Sequence, residues 1–321
     1  MTQEYPGSRF IKLKITCPLG KNSVEYIWNL AYTCLMNDYL ASMNTLPVMP
    51  EVAAKILAMA ENDMDFTFTE LENIIKVDPG LTSRVLKVAN SALYARSREI
   101  TNLQTAIGLM GFKNLRSMVV LVTASSLYRH QSSGWILKTL WKESVIAAFS
   151  CKALAISTGN RELAEEAFLA GLLQDIGKLA FALKQPEDYA TLNQTITQTS
   201  QLPDEDLSRA EEDAYKITHK KLGSEILQQW NFPEMYVDVC KNHGSLQVPN
   251  RFKKLVIIAT IGATISKLSA QEPLGSSVQQ FLQPFLPYLG ISLEDLESFR
   301  KAQDERVERD TMFKSCMTLI A

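Results

Sequence analysis

The sequence predicts an all-α fold on three observations. Apolar residues recur at helical spacing along most of the chain, capping-box patterns head several of those stretches, and alternating strand patterns are nearly absent. Residues 9–17 (RFIKLKITC) alternate loosely and predict one short strand, ended by Pro18 and Gly20. A helix is expected from Val24 to about Met43, with Tyr26, Leu30, Thr33 and Asn37 on a mixed face. In LPVMPEVAAKILAMAEN, Pro50 suits a first helical turn, and Met49, Val52, Ala53, Ile56, Leu57 and Ala60 share one stripe.

Thr69 and Glu72 read as a capping box ahead of Leu71, Ile74 and Ile75. Asp78 then caps a helix that has Pro79 at its first position and Leu81, Val85, Val88 and Ala92 on one face. Thr101 and Gln104 repeat the capping-box pattern, and Gly111 is placed to end that short helix. The stretch NLRSMVVLVTASSLY is apolar nearly all round, as a helix in the middle of a bundle must be. HQSSG (130–134) breaks the chain, and helical patterns resume over 135–157 and 162–184. A polar loop is expected over 191–206, followed by helices near 207–230, 233–243 and 251–269. QEPLGSS (271–277) reads as a linker. A last helix starts at Ser292, with Asp295 in its cap and Leu293, Leu296 and Phe299 inward.

Composition bounds the function. A hydrophobic share of 46% fills a sizeable core, while a net charge of -2 argues against sequence-independent binding to nucleic acid, which needs a concentrated basic surface. Cys17, Cys34, Cys151, Cys240 and Cys316 are odd in number and lack CxxC spacing, so they predict reduced thiols and a cytoplasmic location. Glu4, Arg9, Lys12 and Lys14 leave no apolar run for a secretory signal. The apolar run from Leu255 to Ile265, ended by Ser266 and Lys267, is too short to cross a membrane. The chain contains no Gly-rich phosphate loop, GxSxG elbow or HExxH.

Six strings then resemble one family, in order and at similar spacing. LPVMPEV, VDPGLTSRVLKVANSALY and ITNLQTAIGLMGFKNLRSMVV are similar to the first half of the HDOD family. LWKESVIAAFSCKALA with Trp141, EEAFLAGLLQDIGKLAFAL and HKKLGSEILQQWNFPEMYVDVCKNH are similar to the second half. The resemblance implies an N-terminal extension over 1–44, an HDOD domain over 45–245 and a C-terminal helical extension over 246–321. It also implies a multi-helix HD-like bundle with an N-terminal helical lobe. HDOD proteins are often joined to receiver domains, and 44 residues are too few for one.

HDOD domains are relatives of the HD metal-dependent phosphohydrolases, in which a His–Asp pair, further histidines and a second Asp hold metals that activate water. Such a metal needs several imidazole or carboxylate ligands and an open position. The chain has three histidines, His130, His219 and His243, and His130 lies outside the matching strings. Gln174 stands where the resemblance implies the His of the pair, followed by Asp175. Lys142-Glu143-Ser144 lacks the upstream His, and LVIIATIGATISKLSA lacks the late Asp. The His–His pair common in the family is Asn242-His243, and the Asp that often precedes the other His is Thr218.

The expectation is therefore a non-enzymatic signalling module without catalytic residues, metal or cofactor. It would act through signalling protein partners or self-association. Gln174, Asp175, His219 and His243 would line a vestigial pocket with room for a nucleotide ligand. Asp175 also reads as a helix-end residue paired with a cation, and the two histidines as capping or core residues. The alternative is a residual metal-dependent phosphohydrolase or nucleotide phosphodiesterase. Cys240 and His243, at i and i+3, suggest half a metal site or, more simply, a buried thiol. Arg84, Lys87, Lys113 and Arg116 form either a modest basic patch or a solvated helix face. Asn90 and Ser91 are expected to turn the chain between helices.

Overall fold

The computed structural model describes residues 39–40, 52–57, 68–91, 100–129, 134–268, 272–309 and 311–320. Every regular element among them is helical, and they fall in one compact unit running from Tyr39 to Ala321. The short strand expected over 9–17 and most of the helix expected after Val24 lie outside the described residues.

The first lobe holds α1 (Phe68–Lys76), α2 (Pro79–Ser91), α3 (Leu103–Met110) and α4 (Phe112–Leu127). Asp78 caps α2 as expected, its carboxylate accepting from Leu81 N at 3.0 Å. Neither capping box forms. Asn102 caps α3 by accepting from Thr105 N at 2.8 Å, which leaves Gln104 to reach Glu72 on α1. Glu72 also binds Lys76 at 2.6 Å, so it serves as a side-chain hub and not as a cap. Asn90 binds both the carbonyl and the amide of Ile100, at 2.8 and 2.7 Å, and so holds the entry to α3 against the end of α2. Gly111 ends α3 with φ 76°, a conformation that glycine adopts without strain.

Helix α5 (Gly134–Ser157) buries the face that carries Leu137, Trp141, Ala148 and Cys151 and packs against α6 (Ala164–Leu173) and α12 (Lys253–Ser266). The long pattern expected over 162–184 divides at Gln174-Asp175 into α6 and α7 (Ile176–Lys184). The expected loop over 191–206 is instead mostly helix, the end of α8 (Pro186–Thr199) and the start of α9 (Pro203–Tyr215). Both begin at a proline followed by acids, which suits the positive end of a helix. The polar composition hid α8: Thr191, Thr195 and Thr199 return their hydroxyls to carbonyls four residues back, while Tyr189, Ala190 and Asn193 are buried. Lys216, in the left-handed conformation, ends α9 inside the stretch read as one helix over 207–230.

Helix α10 (His219–Gln229) packs on α7 and on α11 (Glu234–Asn242). Its crossing with α7 is built on two glycines. A β-carbon on Gly177 would collide with the carbonyl of His219, and one on Gly223 would lie 2.9 Å from Gly177 N and 2.6 Å from Cys240 Sγ. That contact brings the first residue of α10 against the break before α7.

The chain continues through α13 (Ser276–Leu282), α14 (Leu293–Arg309) and α15 (Thr311–Thr318). Ser292 and Asp295 cap α14 reciprocally, and Leu296 is buried with Leu293 and Phe299 half-buried. Helix α15, past what read as the last helix, packs on α2 and α5. There Trp141 Nε1 donates to Cys316 O at 3.0 Å, and Arg129 Nε donates to Leu319 O at 2.7 Å.

Candidate functional site

Four helix ends converge at the α7–α10 crossing. Asp175 sits in the break before α7, Asp204 is the second residue of α9, His219 opens α10, and His243 directly follows α11. One ligand atom from each of the four lies within 4.8 Å of all the others. The sequence grouped Asp175, His219 and His243 with Gln174 around a vestigial pocket; folded, the three are neighbours. Asp204 joins them from the stretch that had been read as a loop. Pro203 followed by three acids was the signal that could have placed it at a helix start.

The outer oxygens of the two aspartates are held by lysines. Lys178 Nζ lies 3.0 Å from Asp175 Oδ2 and 2.8 Å from Asp204 Oδ1. Lys267, at the end of α12, lies 3.2 and 3.0 Å from the same two atoms. Lys220 binds Glu205 at 2.7 Å and stands 3.5 Å from Asp204 Oδ2. Burial pushes both aspartate carboxyls up, but Lys178 and Lys267 outweigh it and hold them well below the usual range. By the same pairing, Lys178 stays an ammonium although its side chain is only 2% exposed. Glu143 on α5 adds a buried carboxyl: burial raises it, and Lys267 and Lys178 oppose that incompletely.

Both imidazoles are oriented from behind. Glu211 Oε2 accepts from the backbone N and from Nδ1 of His219, each at 2.7 Å, and Tyr189 OH donates to Glu211 Oε1 at 2.7 Å. His243 Nδ1 lies 3.2 Å from Val239 O. A carboxylate and a carbonyl only accept, so Nδ1 of each ring is the donor in these contacts, and each Nε2 faces the aspartates. Burial first, and Lys220 second, hold His243 below the ordinary imidazole range. Asp175 Oδ1, His219 Nε2 and His243 Nε2 are buried without a hydrogen-bond partner. His243 Nε2 is 3.2 Å from Asp204 Oδ2, and Asp175 Oδ1 is 3.5 Å from His219 Nε2 and 3.6 Å from His243 Nε2.

Gln174 is buried, with neither side-chain polar atom bonded, and its backbone carbonyl accepts from Cys240 Sγ at 3.1 Å. Burial raises the Cys240 thiol well above its ordinary range, so it is a neutral core donor, the buried thiol of the simpler reading. The suggested basic patch also dissolves. Arg116 is buried against Glu166, which Lys113 shares, and Arg84 faces Asp78. A cleft leads outward from Asp204, His243 and Lys267 past Thr260, Thr264 and Phe281.

Relatives share this architecture. The crystal structure of an HDOD domain protein of unknown function from Geobacter sulfurreducens superimposes with a TM-score of 0.70, over 89% of this chain and 97% of that one, at 21% identity. A candidate phosphohydrolase from Shewanella amazonensis SB2B gives 0.65, over 89% and 98%, also at 21% identity. An uncharacterized protein of Treponema pallidum (strain Nichols) is 25% identical over 233 residues, 72% of this chain but only 44% of the relative's length. No helix among the described residues is long and apolar enough to cross a membrane. The HDOD domain pattern matches residues 46–246, more than half of the sequence, and the chain belongs to the HDOD family.

Proposed function

We propose that this chain is a non-catalytic regulatory module of signal transduction, acting through protein contacts. One observation carries the reading: the carboxylates of the centre already have their counter-ions within the protein. Lys178 and Lys267 each bridge Asp175 and Asp204, and Gln174 replaces the imidazole that hydrolytic relatives carry. A hydrolytic centre needs an open coordination position for water, and here the inward atoms are opposed by one another at 3.2–3.6 Å. Partners and self-association belong to this proposal. A nucleotide ligand has less support, because the three converging lysines are already bound to carboxylates.

The test is phosphodiester hydrolysis with bis(p-nitrophenyl) phosphate in manganese, iron or zinc. The reading expects turnover indistinguishable between wild type and His219→Ala at every metal. Metal-dependent turnover abolished by His219→Ala would establish a residual phosphohydrolase instead.

A further inference from the structure

Three lysines converge on one carboxylate at the start of α9. Asp204 takes Lys178 at 2.8 Å and Lys267 at 3.0 Å on Oδ1, and Lys220 stands 3.5 Å from its Oδ2. The side chains of Lys178, Lys220 and Lys267 are only 2%, 13% and 12% exposed, a depth at which lysine is rarely found. Taking an ammonium out of water is costly, and one partner is enough to anchor a helix end. Three exceed what holding Asp204 requires.

Charge among these contacts balances only while Asp204 is in place. The three lysines touch Asp175, Asp204 and Glu205, three cations against three carboxylates. Glu211 is turned to His219 and Tyr189, and Glu143 faces the lysines with a carboxyl raised by burial. Withdrawal of Asp204 therefore leaves one lysine charge unmatched, at the inner end of the cleft that runs out past Thr260, Thr264 and Phe281. Asp204 is also the carboxylate free to withdraw. Asp175 lies in the break before α7, where the contact of Gly177 with His219 fixes the chain. Helix α9, by contrast, buries only Leu207 and Glu211 among its described side chains and packs chiefly on α8. So little apolar burial leaves its first turn held mainly by charge.

We propose that Asp204 is a tethered stand-in for a small phosphate-type anion, which enters by the cleft, replaces it among Lys178, Lys220 and Lys267, and releases the first turn of α9. The number of oxygens favours the exchange. A carboxylate has two, so Lys178 and Lys267 must share Oδ1, whereas a phosphate group offers at least three acceptor oxygens to three ammoniums. Lysine binds phosphate as a point charge, without the planar geometry that arginine imposes. The inference deepens the non-catalytic reading and rests on it for its output: the anion frees α9 and so alters the surface offered to partners.

The experiment is calorimetric titration of the full chain with inorganic phosphate in metal-free buffer, with glycerol 2-phosphate in a second arm. Phosphate is expected to bind wild type, and Asp204→Asn to bind it roughly tenfold more tightly or better, since the competent state no longer has to be opened first. Lys267→Gln is expected to weaken binding by a similar factor. Amide hydrogen exchange over residues 203–215 should rise several-fold when phosphate saturates the wild type. No phosphate heat from wild type would overturn the proposal and leave the non-catalytic reading intact. Equal affinity of wild type and Asp204→Asn would also overturn it, because a mere structural carboxylate does not compete with the ligand. Should Asp204→Asn not fold, hydrogen exchange of the wild type decides, and exchange over 203–215 unmoved by phosphate rejects the stand-in. Binding of phosphate alone marks a site for the free ion and binding of both ligands a site for a monoester; either supports the proposal. Hydrolysis of the ester would refute the non-catalytic reading while leaving the anion site in place.

Discussion

Gly177 has no room for a β-carbon, because the carbonyl of His219 occupies that space. Gly177→Ala must push α10 away from α7, and the expected result is a loss of several kcal/mol, at the upper end for single substitutions, measured by urea unfolding. Lys178 is the buried cation between two carboxylates. Removing one partner of a buried pair leaves an uncompensated charge, so Lys178→Met is expected to destabilise by about 3–5 kcal/mol. Glu143 behaves oppositely. Its carboxyl is raised by burial, which makes the ionised form less favourable in the fold than in the unfolded chain. Destabilisation from Glu143 is therefore absent below the ordinary carboxyl range and grows as pH rises through the folded value. Glu143→Gln should match wild type near pH 4 and exceed it at pH 8, as read from paired urea titrations; a constant gap would reject this account.

Among the elements, the site depends on where helices begin and end. Thr218 Oγ1 accepts from Lys221 N at 3.3 Å and caps α10, fixing the residue that follows it, His219. Thr218→Ala is expected to cost about 1 kcal/mol by thermal unfolding, the usual worth of such a cap. The element boundaries were also where sequence reasoning fell short. Capping, prolines and periodicity gave α2 and α14 closely, while α3 was bounded by its periodicity and Gly111, with Asn102 and not the expected box as its cap. The break at Gln174-Asp175 left no mark on the periodicity, because apolar residues continue on both sides of it; only the reading of Asp175 as a helix-end residue pointed to it. Helix α8 was missed because its face toward the core is narrow and the rest of its 191–199 stretch is mostly threonine and glutamine.

For the whole molecule, the C-terminal segment is part of the body and not an appendage. Helix α15 packs on α2 and α5, and its last turn receives the Trp141 indole and the Arg129 guanidinium. Truncation after residue 309 would strip Trp141 of its acceptor and uncover apolar surface around it. Orphaning that N–H alone costs about 1–3 kcal/mol. The expected outcome is a lower Tm and a red-shifted tryptophan emission; unchanged values would show that α15 contributes nothing to the fold.

By itself the sequence determined the helical class, most of the helices and the family, because those follow from local periodicity, capping chemistry and strings long enough to match. It also identified three of the four side chains at the centre. Their meeting, the addition of Asp204 and the hold of Lys178 and Lys267 on both aspartates come from packing between distant segments. Those relations link residues up to 92 positions apart, Asp175 with Lys267 being the widest. They exist because glycine crossings and helix ends bring the groups together, which no local pattern encodes.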